Sequence, residues 1–417
     1  MSATEDGFSF RALAIPAYGP TLLFGLGEGA ILPVLPLSAR SLGASVAIAA
    51  TMVVLINVGS LVFNVPSSVI TDRYGERPAI IGAAVVGVLA SGLFLIGSDI
   101  WVFMVGALLY GISASVFMLA RQTYLTEAVP ASHRARALST LGGVMRIGVF
   151  AGPFLGAAAM SVWHLAGAYA VSAAALLLAG VLGATLKDLP RDAAAQRAKV
   201  GDTGTPSVRG VLRDYRKVFL TVGMGVLLVS SIRASRQAVI PLWAEHLGLS
   251  PTTASLIYGV SGGIDMLVFY PAGKVMDIFG RRWVTVPSML VMGLAMMAMP
   301  LTHGVLTLAL VSCVLGFGNG IGSGMVMTLG ADFSPVVGRP QFLGIWRELS
   351  DAGSTLGPAL LAGVTAILSL GAGIVVCGGL GFAAATVMWR SVPSGSQHRA
   401  AADLARQSET SSARSSP

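Results

Sequence analysis

Residues 127–156 read EAVPASHRARALSTLGGVMRIGVFAGPFLG, and residues 332–361 read DFSPVVGRPQFLGIWRELSDAGSTLGPALL. Positions in the two segments correspond at a constant offset of 205 residues, and the matching pairs are Glu127 with Asp332, Pro130 with Pro335, Arg134 with Arg339, Arg146 with Asp351 and Pro153 with Pro358. A constant offset indicates that one half of the chain is a copy of the other. Within the copied apolar run, a cation in one half replaces an anion in the other, and we expect Arg146 to face Asp351.

The composition excludes a soluble globular protein. The 417 residues are 54% hydrophobic and 11% charged, whereas soluble proteins average about 25% charged residues. Apolar runs of about 20 residues recur, each long enough to cross a bilayer as a helix. The runs fall at about residues 13–36, 46–70, 79–97, 100–126, 136–161, 165–186, 218–244, 252–276, 283–302, 305–331, 341–368 and 370–389. We therefore predict an all-α membrane protein with twelve transmembrane helices in two pseudo-symmetric six-helix bundles.

The distribution of positive charge predicts the topology. Of the 27 lysines and arginines, 21 fall on one side of the predicted spans, five fall within spans, and Arg40 alone falls on the other side. Basic loops mark the cytoplasmic side of a membrane protein, so the net charge of +8 indicates a lipid bilayer rather than nucleic acid as partner. The predicted organisation is a cytoplasmic N-terminus (1–12), a first bundle (13–186), a mobile cytoplasmic linker (187–217), a second bundle (218–390) and a disordered cytoplasmic tail (391–417).

Several classes of site are not predicted. The two cysteines, Cys313 and Cys377, both fall in apolar runs, which indicates neither a disulfide framework nor a metal site. The sequence contains no phosphate-binding loop of the Gly-x-x-x-x-Gly-Lys-Ser/Thr type and no recognisable pair of nucleophile and base. We therefore expect neither an enzyme nor an ATP-driven pump, and no cofactor.

Two short loops repeat at the same offset. Residues 68–77 read SVITDRYGER and residues 273–282 read GKVMDIFGRR. Glycine permits the positive φ of a tight turn, so each loop should place its flanking helices antiparallel and adjacent. The residues singled out, as structural anchors or as parts of a gate, are Asp72, Arg73, Gly75, Arg77, Asp277, Gly280 and Arg281.

From about residue 13 to residue 390 the sequence resembles the major facilitator superfamily. The Asp-Arg-x-Gly-x-Arg loop after the second span, with a weaker echo after the eighth, is the most recognisable motif of that superfamily. Ser68 and Glu76 depart from it, where a glycine and a basic residue are usual. The resemblance implies a secondary transporter whose two bundles rock about a central site.

The fifth span contains Gly148, Gly152, Pro153 and Gly156. Proline removes a backbone donor and kinks a helix, and small residues at i and i+4 allow helices to cross closely. This pattern resembles the Gly-Pro motif of drug:proton antiporters with twelve helices, which implies proton-coupled efflux. Ordinary small-residue packing is the alternative interpretation.

Ionisable residues inside the spans are candidate functional groups, because a charge in lipid is costly. The candidate proton carriers are Glu28, Asp265 and Asp351, and of these we favour Glu28 and Asp351. Burial favours the neutral form of a carboxylic acid and a neighbouring arginine favours the ionised form, so opening of a cavity could switch protonation. The candidate charge partners are Arg146, Arg233, Arg236, Arg347 and Glu348.

Other residues have weaker predicted roles. Arg121 near the end of the fourth span is expected to pair with Glu127 or Asp72 at the cytoplasmic mouth, and a direct role in transport is the alternative. Aromatic residues that either contact a substrate or simply pack are Tyr110, Trp243, Tyr258 and Trp346.

Together these patterns predict a monomeric cell-membrane transporter for the proton-coupled efflux of small amphiphilic compounds by alternating access. One alternative is a proton-coupled importer or facilitator of a small metabolite, which would be anionic if the intramembrane arginines bind it. A second alternative is a transporter-like sensor or assembly partner that moves nothing.

Overall fold

A computed structural model describes residues 14–129, 133–186, 207–335 and 338–392, and no strand occurs within these ranges. A π-helical turn (Ala14–Tyr18) leads into the first half, whose helices are α1 (Gly19–Ile31), α2 (Leu35–Ser41), α3 (Val46–Tyr74), α4 (Glu76–Ile96), α5 (Ile100–Ala128) and α6 (Arg134–Ala184). The second half contains α7 (Val208–Asp214), α8 (Arg216–Val218), a π-helical turn (Phe219–Gly223), α9 (Met224–His246), α10 (Pro251–Phe279), α11 (Arg282–Ala298), a 3-10 turn (Met299–Leu301), α12 (Val305–Ile321), α13 (Met325–Phe333), α14 (Arg339–Ile367) and α15 (Leu370–Ser391).

Within the described residues, ten helical stretches are long and apolar enough to cross a membrane. The stretch Ala137–Ala184 has 48 residues and is long enough to cross twice. Its backbone leaves the helical conformation at Trp163 and His164, and a Cβ placed on Gly167 would lie 2.4 Å from the carbonyl carbon of Ala159. The chain therefore folds back on itself here, and the two arms of α6 are the fifth and sixth predicted spans. With the more polar α14, the predicted twelve spans are all present.

Two spans are broken within the membrane. The first predicted span consists of α1 and α2, and the tenth consists of α12 and α13. The second break lies in the glycine-rich residues 318–324 (GNGIGSG), where Gly324 adopts a φ of +84°, a conformation that favours glycine. A broken helix leaves backbone carbonyls free, which a membrane protein tolerates where they line a cavity.

Equivalent residues of the two halves make equivalent contacts between helices. A Cβ on Gly148 would lie 2.3 Å from the carbonyl oxygen of Leu22, and a Cβ on Gly353 would lie 2.2 Å from that of Leu227. Gly353 follows Gly148 by the repeat offset, and Leu227 follows Leu22 by the same number. The first and fifth spans of one half therefore cross at the same residues as the seventh and eleventh spans of the other, which confirms the duplication in three dimensions.

The Gly-Pro motif contributes to these crossings. A Cβ on Gly152 would lie 2.4 Å from the carbonyl oxygen of Leu26, and one on the equivalent Gly357 would lie 2.0 Å from that of Ser231. Gly156 is less constrained, since its Cβ would lie 3.3 Å from the nearest backbone oxygen. Both halves thus use the motif for close helix packing, whereas its connection to antiport stays a prediction.

The two repeated loops form the predicted turns at one end of the molecule, which we call the basic end. Gly75 and Gly280 adopt φ angles of +91° and +98°, as the loop sequences predict. Arg73 is exposed and lies over the ring of Tyr74, and Arg281 donates to Asp332 at 2.7 Å. The side chain of Asp277 lies outside the described part of the structure.

The last part of the predicted linker, residues 207–217, contains helix. The side chain of Ser207 accepts a hydrogen bond from the backbone of Gly210 at 3.1 Å and caps α7. Tyr215 packs edge-on against Phe342 of α14, with ring centroids 5.6 Å apart. Helix capping and aromatic packing therefore attach residues 207–217 to the second half, whereas residues 187–206 and the predicted tail beyond residue 392 lie outside the described ranges.

Candidate functional site

A cavity of about 320 Å³ lies between the two halves and has a mixed polar and apolar lining. Helices α3 and α6 of the first half and α9, α10, α12 and α14 of the second contribute to its wall. Its charged lining residues are Arg146, Arg233, Arg236 and Asp265, its uncharged polar ones include Asn57, Gln237, Asn319 and Ser323, and its apolar wall includes Met145, Phe150, Tyr258 and Met266. Concave sites of this kind, with a few convergent polar groups, are typical of small-molecule binding.

Asp265 is held by residues of the second half. Asn319 donates to its Oδ2 at 2.6 Å, and a guanidinium nitrogen of Arg236 lies 3.7 Å from the same oxygen. Arg233 donates to the backbone carbonyl of Asn319 at 2.9 Å, next to the break between α12 and α13. Asn319 therefore binds Asp265 through its side-chain amide and Arg233 through its backbone carbonyl. The break between α12 and α13 places Asn319 between these two residues.

Arg146 does not face Asp351, so this prediction is wrong. The guanidinium of Arg146 lies 4.3 Å from the ring centroid of Phe269 on α10. Asp351 accepts a hydrogen bond from Asn64 of α3 at 2.6 Å and lies 3.7 Å from Arg347. Asn64 and Phe269 are themselves related by the repeat offset, so the two contacts are symmetry equivalents. A two-fold pseudo-symmetry places equivalent residues on opposite sides of the central axis, where each contacts the other half rather than its own counterpart.

The α3–α14 contact forms a second polar group between the halves. Asn57 donates to the backbone carbonyl of Ser354 at 2.9 Å, and Ser115 donates to the side-chain oxygen of Asn64 at 3.1 Å. Glu348 also lies near Asn64. Asp351, Arg347 and Glu348 share one face of α14 as predicted, but they belong to this interface and do not line the central cavity.

Glu28 lies on α1 next to the cavity wall. The side chain of Glu28 is partly exposed, and no ion pair connects it to another described residue. It interacts electrostatically with Tyr258, which lines the cavity, and with Tyr110 inside the first half. The candidate charge partner Arg236 is paired with Asp265, so Glu28 is a carboxylate without an arginine partner in the described structure.

One of the four predicted aromatic contacts lines the central cavity, and it is Tyr258. Tyr110 is buried against Phe24. Trp346 donates to a backbone carbonyl at 2.8 Å and is buried within the second half. Trp243 lines a different cavity and donates to the hydroxyl of Thr302 at 2.9 Å. For Tyr110 and Trp346, packing explains the aromatic side chain.

Arg121 does not form the predicted ion pair with Glu127 or Asp72. Its side chain is fully buried, and none of its guanidinium nitrogens has a hydrogen-bond partner among the described residues. The guanidinium lies 5.4 Å from the ring centroid of Phe117. Arg121 therefore lies inside the first half and not at its mouth.

Several residues of the site were missed by the sequence analysis. Asn57, Asn319 and Gln237 line the cavity, and Asn64 and Phe269 contact the charged residues of the opposite half. The side chains within the spans that were predicted to bind protons or substrate are charged or aromatic, and no amide is among them. The signal that would have found Asn319 is an amide inside a glycine-rich break.

An ion pair between Arg40 and Glu245, which we call the clasp, joins the halves at the end opposite the basic end. Arg40 donates to both carboxylate oxygens of Glu245, at 3.0 and 3.1 Å, and also to the carbonyl oxygen of Ala44 at 2.6 Å. Arg40 and Glu245 are separated by 205 residues, so they are equivalent positions of the repeat. Two equivalent positions can be in contact only close to the pseudo-symmetry axis. This pair therefore lies near the axis and closes the gap between the halves at that end.

The variants Arg40→Glu and Glu245→Arg are each expected to loosen this end, because each places two like charges where an oppositely charged pair lies. Exposed ion pairs contribute about 0.2–1 kcal/mol, so we expect up to about a fivefold faster reaction of a membrane-impermeant thiol reagent with a cysteine introduced at Ala47. Ala47 lines the cavity beside this clasp, and Cys313 and Cys377 are replaced by alanine. The double variant with exchanged charges should restore the slow rate, and a rate that stays fast in the double variant would contradict the clasp.

Comparison with known proteins agrees with this architecture. The sequence model described as Major Facilitator Superfamily matches residues 21–235 and, a second time, residues 222–416. The chain is 22% identical over 377 residues to Multidrug resistance protein 2 of Bacillus subtilis (strain 168), which covers 88% of this chain and 92% of that protein. It is 32% identical over 139 residues to Tetracycline resistance protein, class B, of Escherichia coli, over 33% of this chain and 34% of that protein.

The fold is also similar to that of solved structures. The crystal structure of D-xylose-proton symporter matches with a TM-score of 0.71 at 18% sequence identity, over 92% of this chain and 98% of that chain. Since the family model covers both halves and the predicted twelve-helix fold is present, the chain belongs to the major facilitator superfamily and is a multi-pass membrane transporter.

Proposed function

We propose that this transporter exports small amphiphilic organic compounds in exchange for protons. The observation that carries the proposal is the cavity between the halves, whose wall combines arginines, a carboxylate and uncharged polar groups with apolar and aromatic side chains. A mixed lining of this kind suits compounds with a polar group on an apolar body. The similarity to a multidrug resistance protein over most of the chain and the Gly-Pro motif support the outward direction.

In this proposal the acids have different roles. Glu28 carries the proton, because it can gain and lose a proton without leaving an arginine unpaired. Asp265 pairs with Arg236 and orients the substrate site. Asp351 links protonation to the contact between the halves. Its protonation would weaken the charge-assisted hydrogen bond that Asn64 donates to it from the other half.

Alternating access requires that contacts between the halves be exchanged. The Arg40–Glu245 clasp closes one end, and the contacts of Asn64 and Arg146 join the halves nearer the basic end. The helix pairs α3–α14 and α6–α10 that carry these contacts would slide or open as the bundles rock. A substrate and a proton that bind at different times to the same central region would then be moved in opposite directions.

The direction of proton movement tests the proposal. The purified protein is placed in liposomes that contain a trapped pH-sensitive dye, and members of a compound panel that includes tetracycline and ethidium are added outside. An antiporter moves protons out as the compound enters, so we expect the lumen to become alkaline, whichever way the protein is inserted. Protein-free liposomes control for compounds that carry protons themselves.

The same assay separates the alternatives. A proton-coupled importer would acidify the lumen as its substrate enters, and a facilitator would move substrate with no change of pH. Binding of a compound without any movement of compound or proton would indicate a sensor. Each of these results would overturn proton-coupled export.

A further inference from the structure

We infer that the compounds bound in the central cavity are organic anions, held by Arg146 from the first half and Arg233 from the second. This inference rests on the proposed function, because it assigns a charge to the compounds that the cavity would transport. It concerns the charge of the bound group and the two residues that recognise it.

The charges that line the cavity do not balance. Three arginines and one aspartate line it, and Asp265 is already engaged by Arg236 and Asn319. Asp265 also interacts electrostatically with Arg146 and Arg233, but one carboxylate balances only one of the three positive charges, so the described lining keeps an excess of positive charge. A charge removed from water without a partner is costly, so a ligand with a negative charge would be favoured over a neutral or cationic one.

The unpartnered hydrogen-bond donors give a second, independent indication. The Nε of Arg233 and one terminal nitrogen of Arg236 are buried and have no hydrogen-bond partner among the described residues. Arg236 is 8% exposed. The free-energy cost of leaving a buried charged donor without an acceptor exceeds the stabilisation that an ordinary hydrogen bond provides. A ligand that offers an acceptor to these donors would therefore be stabilised. An acceptor within the cavity would satisfy them.

Arg146 is the arginine that the first half contributes to the cavity. Its guanidinium carbon lies 4.3 Å from the centroid of the Phe269 ring, which is a cation–π contact. The N–H groups of a guanidinium lie in its plane and match the two oxygens of a carboxylate or the oxygens of a sulfonate or phosphate. The contact with Phe269 holds Arg146 at the cavity wall, where its N–H groups make no hydrogen bond to a described residue and can therefore bind a ligand.

The apolar wall defines the rest of the ligand. Met145, Phe150 and Met266 line the same cavity as the arginines, and Tyr258 lies 5.7 Å from the guanidinium carbon of Arg236. An inorganic anion would satisfy the arginines but would leave this wall in contact with water. The chemistry favours a single anionic group attached to an aromatic or aliphatic body.

The charge preference is measured with matched compounds. Naphthalene-2-carboxylate, naphthalene-2-carboxamide and 2-naphthylmethylammonium share one apolar body, and a second triad is built on biphenyl. Their dissociation constants are measured with the full chain in lipid nanodiscs, with inorganic phosphate as a further probe. We expect each carboxylate to bind at least about tenfold more tightly than its amide, as for one charge-assisted contact, and the ammonium compounds and phosphate to bind most weakly.

Variants assign the preference to the two arginines. Arg146→Gln and Arg233→Gln should each reduce the preference for carboxylate over amide to about threefold or less, and Arg146→Lys should keep most of it because the charge is retained. Arg390→Gln is the control, since Arg390 is exposed in the last turn of α15 and does not line the cavity, and the preference of this variant should be unchanged. Size-exclusion profiles show which variants are folded.

Three results would overturn the inference. They are tighter binding of the ammonium compounds, no detectable binding of any carboxylate, and a carboxylate preference that survives in both glutamine variants. If ethidium drives proton exchange while no carboxylate binds, the proposed function holds and the anion inference fails. If carboxylates bind with the expected preference but no compound moves protons, the inference holds and proton-coupled export fails.

Discussion

Replacement of Glu28 by glutamine is expected to abolish transport driven by a pH gradient while compound binding is retained. Glutamine has nearly the same shape as glutamate but cannot release a proton. Glu28 is the carboxylate beside the cavity that no described arginine neutralises, so its loss removes proton exchange without disturbing an ion pair. Proteoliposomes should show no dye response to an added compound, whereas exchange of labelled for unlabelled compound without a pH gradient should continue.

Two further variants are compared with Glu28→Gln. Asp214→Asn removes an exposed carboxylate on α7 and should leave the dye response unchanged. Asp351→Asn keeps the contact with Asn64 but removes its charge, so we expect slower transport that still responds to pH. A Glu28→Gln protein that moves protons at the rate of the unsubstituted protein would exclude Glu28 as the carrier, and loss of coupling in Asp351→Asn alone would assign the role to Asp351.

Replacement of Gly152 by leucine is expected to prevent stable packing of the first half. A Cβ at this position would lie 2.4 Å from the carbonyl oxygen of Leu26 and 2.6 Å from the backbone nitrogen of Ala30. Both atoms belong to the backbone of α1, so no side-chain rotation can relieve the overlap, and α1 would have to move away from α6. Overpacking of well-packed interiors commonly costs about 1–3 kcal/mol, and we expect the upper part of this range or more.

The control is a second glycine of the same helix, about three turns earlier. Gly142 is exposed, and a Cβ added to it would have no neighbouring atom within 4 Å, so Gly142→Leu should be close to neutral. The melting temperature and the fraction of monodisperse protein in detergent measure the difference. Gly357→Leu should repeat the damage in the second half, because its Cβ would lie 2.0 Å from the carbonyl oxygen of Ser231. Equal stability of the Gly142 and Gly152 variants would contradict the close crossing.

The duplication could be recognised from the chain alone because it is a property of residue spacing. The offset of 205 that relates Pro153 to Pro358 also relates Gly152 to Gly357, and the structure places these glycines at equivalent helix crossings. The number of spans follows from the length of apolar runs and the thickness of a bilayer. The turns at Gly75 and Gly280 follow from the conformational freedom of glycine. Each of these features depends on local sequence or on a direct comparison of two segments.

The amino-acid sequence by itself thus determined the family, the twelve spans and which residues carry charge inside them. Only the tertiary structure decided which of these residues meet. Arg146 and Asp351 occupy equivalent positions but contact Phe269 and Asn64, whereas Arg40 and Glu245, equally equivalent, contact each other. The physical reason is that contact depends on the rotation of each helix and on its distance from the pseudo-symmetry axis, and these are set by the packing of all twelve helices together.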